Sequence, residues 1–161
     1  MKRTIKLRIN GSEHELAVPA NALLLDVLRN DLHLVGTKRG CDMGTCGCCN
    51  IIIDGRAVNS CLVLAFDVEG RDIQTIEGVT ASADDDSIHP LQEAWAECGG
   101  SQCGFCAAGF IMTVHALLEN EPQPNRAGIA EALGGNVCRC TGYKKILDAV
   151  ELAAGRMAAT T

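Results

Sequence analysis

The sequence predicts an α+β chain in two parts, a strand-rich half over residues 1–77 and an all-helical half over residues 88–157. Three observations carry this reading. "TIKLRIN" alternates apolar and polar residues and puts Ile5, Leu7 and Ile9 on one face. Asn10-Gly11 and Asp54-Gly55, both two-residue turn signals, each separate two strand-like runs. After residue 87 the alternation gives way to helical spacing, interrupted by Pro122, Pro124 and Gly134-Gly135.

In order, "TIKLRIN" and "EHELAV" form a first hairpin. "NALLLDVLRNDL" is predicted as a helix capped by Asn21, with Leu24, Val27 and Leu28 sharing a face. "NIIID" and "RAVNS" make a second hairpin, and "RDIQTIEG" a last strand. "GVTASADDDS", residues 78–87, is polar and aperiodic and is read as a linker, with Asp84 to Asp86 a solvated run. Four helices follow. "SIHPLQEAWAEC" has Ser87 as its expected cap and Pro90 in its first turn. "FCAAGFIMTVHALLEN" stops before Pro122, "NRAGIAEALGG" is capped by Asn125, and "GYKKILDAVELAAG" is the last. Four short helices suggest a compact bundle.

Bulk composition narrows the function. Hydrophobic residues reach 47% but aromatics only 3%, so the core is aliphatic and thin for two domains. Something beyond apolar packing is therefore expected to hold the fold. A net charge of −6 disfavours nucleic acid as a partner. No apolar run approaches the ~20 residues of a membrane span. The basic opening "MKRTIKLRIN" is not followed by an apolar stretch and a small-residue cleavage site, so a cytoplasmic chain is expected.

Ten cysteines need an explanation. Disulfides require an oxidising compartment, and "CGCC" and "CRC" crowd their thiols too tightly for easy internal pairing. Ligation of a metal or cluster fits better. Cys41, Cys46 and Cys49 have the spacing C-x4-C-x2-C, with Cys61 after eleven intervening residues. This is the plant-type ferredoxin pattern for a 2Fe–2S cluster. Gly40, Gly44 and Gly47 offer positive φ, close backbone approach and N–H groups that can be aimed at cluster sulfur. Zinc knuckles usually come as two C-x2–4-C units, and this loop has one. Cys48 lies off the pattern and is given no ligand role. A second set, Cys103 and Cys106 in "QCGFCAAG" with Cys138 and Cys140 in "GGNVCRCTGY", again offers four thiolates. Spacing alone leaves this set open between zinc and iron–sulfur. Cys98 is read as a packed thiol. His14, His33, His89 and His115 form no catalytic arrangement, so substrate chemistry is expected elsewhere.

Taken together, "GCDMGTCGCC", "QCGFC" and "GGNVCRCTGY" resemble the small iron–sulfur subunit of the molybdenum hydroxylases, the xanthine oxidase family. The resemblance covers nearly the whole chain. It implies an N-terminal β-grasp, plant-type ferredoxin-like domain followed by a four-helix bundle, each with one 2Fe–2S cluster. Cys103, Cys106, Cys138 and Cys140 would ligate the second. It implies a large partner subunit with molybdopterin, in the cytosine dinucleotide form, and a medium subunit with FAD, as a heterotrimer or a dimer of heterotrimers. The chain would relay electrons between those cofactors, with Gln102 and Cys140 beside the pterin. Ala107 and Ala108 stand where relatives commonly carry Thr-Pro. Three other readings remain at this point: a free ferredoxin-type carrier, a zinc-stapled interaction module, and a complex whose overall reaction is redox-neutral.

Overall fold

The computed structural model describes residues 2–81 and 88–159. Strands β1 (Lys2–Ile9) and β2 (Ser12–Pro19) pair antiparallel, joined by Asn10 at φ 50° and Gly11 at φ 79°. Both central residues have positive φ, which makes a turn whose twist matches that of the strands. β3 (Asn50–Ile53) and β4 (Arg56–Asn59) repeat the device across Asp54 and Gly55. β5 (Asp72–Gln74) lies between the hairpins, parallel to β1 and antiparallel to β3, giving the order β2-β1-β5-β3-β4.

The predicted alternation holds on β1, where Ile5, Leu7 and Ile9 are buried and their neighbours exposed. They pack with Leu24, Val27, Leu28, Ile51 and Ile73. The first helix differs from expectation. α1 is only Leu24–Asp26, preceded by Leu23 without a side-chain cap, and it continues as a wide turn over Val27–Asp31. Asn21 is not the cap. Ala22 and Leu23 are instead drawn into pairing with the 63–65 segment, where Leu24 N–H donates to the Val63 carbonyl and Ala65 N–H to the Ala22 carbonyl. The chain thus becomes helical only at Leu24.

A short helix, α2 (Ile76–Ala81), occupies the first positions of the stretch read as linker. Val79 is fully buried, and Ile76 packs beside it. So short a helix shows no periodicity in a sequence. The aspartate run and Ser87 lie outside the described residues. α3 (Pro90–Glu97) is capped by His89, whose ring accepts a hydrogen bond from Leu91 N–H at 3.1 Å. With Pro90 at the first helical position, the cap falls on the residue directly before it. α4 (Ala107–Asn120), α5 (Arg126–Ala132, capped by Asn125) and α6 (Lys144–Ala159) complete the second half. Ala107 and Ala108 begin α4 without proline.

The helical core is mostly aliphatic, but three of its larger residues form an aromatic row. Trp95, Phe110 and Tyr143 have ring centroids 6.1 and 5.9 Å apart, the second pair edge-to-face. Such contacts contribute about 0.5–1.5 kcal/mol each beyond buried area. Where the halves meet, Ile52 of β3 packs with Val79, Met112 and Ala116. α4 also runs so close to the first cysteine loop that a Cβ on Gly109 would lie 2.1 Å from the Gly47 carbonyl oxygen. Neither partner is a flexible side-chain end. Gly109→Ala should therefore cost about 3 kcal/mol through overpacking. Gly155→Ala, whose new Cβ on α6 would meet nothing within 4 Å, should stabilise by about 0.5–1 kcal/mol. Thermal denaturation of the two variants checks the contrast.

Candidate metal centres

The first loop is held at its base before it reaches its cysteines. Arg29 donates to the carbonyls of Val35 and Thr37 at 2.9 and 2.6 Å. Glu77 accepts from Gly36 N–H at 2.8 Å, and Arg39 pairs with Asp26 and Asp42. The loop closes where Lys38 N–H meets the Cys48 carbonyl at 3.2 Å. Gly44 and Gly47 take φ of 74° and 66°, as the sequence reading expects. Gly40 does not. Its missing Cβ instead leaves room for sulfur, since a Cβ there would stand 2.8 Å from Cys46 Sγ and 3.2 Å from Cys48 Sγ. Asp42, at φ 58°, makes an additional left-handed bend. Ser60 delivers the distant fourth cysteine: its N–H and hydroxyl both donate to the Cys49 carbonyl, at 3.2 and 2.8 Å, and so hold Cys61 beside Cys49. Leu25, fully buried, packs on Cys49 and Cys61.

Within this set Cys41 lies beside Cys46 and Cys49 beside Cys61, and Cys49 also feels Cys46. The Met43 backbone N–H, then the Thr45 hydroxyl, hold the Cys41 thiol down at about 6. Burial pushes Cys49 up to about 11.

The second set spans a loop, a helix start and another loop. Cys106 precedes α4, and the 138–140 loop folds back beside it. Again there are two pairs. Cys103 and Cys140, both exposed, have sulfurs 3.6 Å apart, and Cys106 interacts with buried Cys138. The helix N-terminus is expected to favour thiolate at Cys106, but burial, then the Cys138 sulfur, push it up to about 12. Burial also acts on Cys138, yet the Thr141 hydroxyl and the backbone N–H groups of Cys140 and Thr141 outweigh it and hold its pKa below the ordinary thiol value. The loop is pinned by Tyr143, whose hydroxyl accepts from Cys138 N–H and donates to the Asn136 carbonyl, both at 3.0 Å. Gln102 is exposed and donates to the Cys140 carbonyl at 3.0 Å.

The two loops touch. Val137 N–H donates to the Cys46 carbonyl at 2.9 Å, and the buried Asn136 amide donates to the Gly47 carbonyl at 3.3 Å. Thr113 on α4 accepts from Asn50 at 2.8 Å and lies 3.1 Å from Asn136 Oδ1. Asn136, Thr113, Asn50, Thr141 and Tyr143 escaped the sequence reading. The only signal for three of them was their place inside "GGNVCRCTGY". Cys48, buried and pushed up to about 12 by burial, lies close enough to feel Cys46, Cys106 and Cys49. Cys98 is partly buried against the helical core, as a packed thiol should be.

These residues fit 2Fe–2S clusters better than single ions. Two ligands on one tetrahedral metal with ~2.3 Å bonds lie about 3.7 Å apart, close to the Cys103–Cys140 separation. A four-thiolate cluster site needs two such pairs, one for each iron. Among the described residues, no three His, Cys, Asp or Glu side chains converge as one metal ion requires.

Comparison with known proteins agrees. A family model described as "2Fe-2S iron-sulfur cluster binding domain" matches residues 7–75, and one described as a 2Fe–2S binding domain matches residues 75–151. The nicotine 6-hydroxylase small subunit of Paenarthrobacter nicotinovorans is 47% identical over 153 residues, covering 95% of this chain and 90% of that protein. The nicotinate dehydrogenase small FeS subunit of Eubacterium barkeri is 43% identical over 157 residues, 98% of each. The crystal structure of quinoline 2-oxidoreductase from Pseudomonas putida 86 superposes with a TM-score of 0.92 at 39% identity, over 99% of this chain and 97% of the matched one. With two cluster-binding domains in tandem and relatives of this kind aligned end to end, the chain belongs to the small iron–sulfur subunits of the molybdenum hydroxylases.

Proposed function

We propose that this chain is the electron-carrying subunit of a molybdenum hydroxylase-type complex and that substrate is oxidised on a partner subunit. The single observation that carries the reading is the abutment of the two cysteine loops, joined by the Cys46–Val137 hydrogen bond. Two cluster sites sharing a backbone hydrogen bond suit a relay. A free carrier needs only one site, and an interaction module needs no contact between its metal loops.

Cys41, Cys46, Cys49 and Cys61 would hold one 2Fe–2S cluster in a β-grasp, ferredoxin-like domain. Cys103, Cys106, Cys138 and Cys140 would hold the other in a four-helix bundle formed by α3 to α6. We place the domains at 1–77 and 88–157, with the connector between. When bound, the clusters supply one-electron carriage between a molybdopterin and an acceptor such as FAD. This chain's residues do the rest. Gly40, Gly44 and Gly47 let the first loop curl round its cluster. Leu25 keeps water from Cys49 and Cys61. Gln102 fixes the Cys140 backbone at the exposed edge of the second set, the edge we assign to the molybdopterin subunit. Met43 and Leu62, exposed beside the first loop, mark the side assigned to the FAD subunit. The cytosine dinucleotide form of the pterin, a heterotrimer or a dimer of heterotrimers, and a cytoplasmic location belong to the same proposal.

Three outcomes are expected. The isolated chain should contain four irons and four acid-labile sulfides, and dithionite should generate two rhombic paramagnetic resonance signals. Zinc without sulfide would refute the assignment. Cys61→Ser should abolish or alter one signal and Cys138→Ser the other, each by itself. Finally, the chain without partners should accept electrons from dithionite yet turn over no aldehyde or N-heteroaromatic substrate, which a dye-linked assay measures.

A further inference from the structure

We propose that Thr141 sets the reduction potential of the cluster in the helical half, through a hydrogen bond from its hydroxyl to Cys138 Sγ. The inference rests on the ligand assignment above and gives one further side chain a role in it.

The geometry is specific. Thr141 Oγ1 lies 3.0 Å from Cys138 Sγ, and the Thr141 N–H lies 3.4 Å from the same sulfur. The hydroxyl is aimed by a third contact, because it accepts from Tyr143 N–H at 3.3 Å. With that lone pair engaged, its single proton points to sulfur. Tyr143 is fixed in turn, its own hydroxyl bridging Cys138 N–H and the Asn136 carbonyl. The donor is thus held before any electron arrives, and no reorganisation is needed when one does.

A hydrogen bond to a ligating thiolate draws off negative charge. It stabilises the reduced cluster, which carries one more electron, and so raises the potential. The effect grows where water is excluded, and Cys138 is the buried member of its set, 9% exposed. The first set has a counterpart in Thr45, whose hydroxyl acts on Cys41, but Thr45 is exposed and water can take its place. Removing the Thr141 hydroxyl should therefore move one potential and leave the other.

The test is a redox titration of the full chain, isolated with its clusters and followed by paramagnetic resonance, in the unaltered protein, T141V and T141S. T141V keeps the shape and the backbone N–H but lacks the hydroxyl. Its helical-domain signal should titrate at a more negative potential, with the other signal unmoved. T141S should restore the original value. Superimposable titrations of T141V and the unaltered chain, with both signals intact, would overturn this inference alone. A missing second signal in the unaltered chain would instead overturn the ligand assignment and this inference with it. Should T141V lose its cluster, T141A, which also keeps the backbone N–H and lacks the hydroxyl, is titrated in its place, and a helical-domain potential equal to that of the unaltered chain overturns the proposal.

Discussion

The structure depends on one close approach, the seating of α4 against the Gly47–Cys48 backbone. It is possible only because Gly109 presents no side chain to the Gly47 carbonyl. A helix usually keeps about 8–10 Å between its axis and a neighbour's, with side chains filling the gap. Here the filler is absent and backbone meets backbone. The gain is position. α4 begins just after Cys106, so a helix seated on the first loop carries a cysteine of the second set with it. Asn136, Val137 and Thr113 then secure the contact with polar bonds. Each buried polar group that finds a partner avoids a desolvation cost of about 1–3 kcal/mol. The contact is therefore specific in register as well as close.

The way the two cores meet follows from the same constraint. Neither half is large, and the aliphatic cluster of the strand-rich half meets that of the helical half through Ile52, Met112, Val79 and Ala116. Most of the remaining inter-loop contact is polar or backbone. A fold whose apolar core is divided between two small halves gains from other fastening. The proposed clusters, one in each half, would provide it, since ligand binding that requires the folded state contributes directly to folding free energy.

Much of this was legible in the sequence. The Ile5, Leu7 and Ile9 alternation, both positive-φ turns and the four later helices follow from local rules, and local rules are written in neighbouring residues. The cysteine spacing was equally legible, because ligand geometry restricts which positions can serve. The remainder depends on contacts distant in sequence. Asn21 looked like a cap, but Ala22 and Leu23 pair with a segment about forty residues away. Of the two roles the sequence offers Gly40, positive φ and close approach, the structure shows only the second, with Cys46 Sγ beside it. Asn136 is marked only by its place inside "GGNVCRCTGY". Its value comes from Gly47, 89 residues earlier.

Both sets also share a polarity that spacing could not reveal. Each contains an inner pair and an outer pair. Cys49 and Cys61 are buried under Leu25, whereas Cys41 and Cys46 are partly exposed. Cys106 and Cys138 pack on the helical core, whereas Cys103 and Cys140 face solvent. Burial penalises charge and solvent relieves it, so the two ends of each site differ electrostatically before any cluster is considered. The outer pair of the second set lies at an open edge. The path between its inner cysteine and the first set is short, since Val137, bonded to Cys46, directly precedes Cys138. One end of the second set thus meets the outside, and the other leads through a single hydrogen bond to the first. An arrangement open at one end and joined to a second site at the other has two distinct ends, and two ends are what a relay requires.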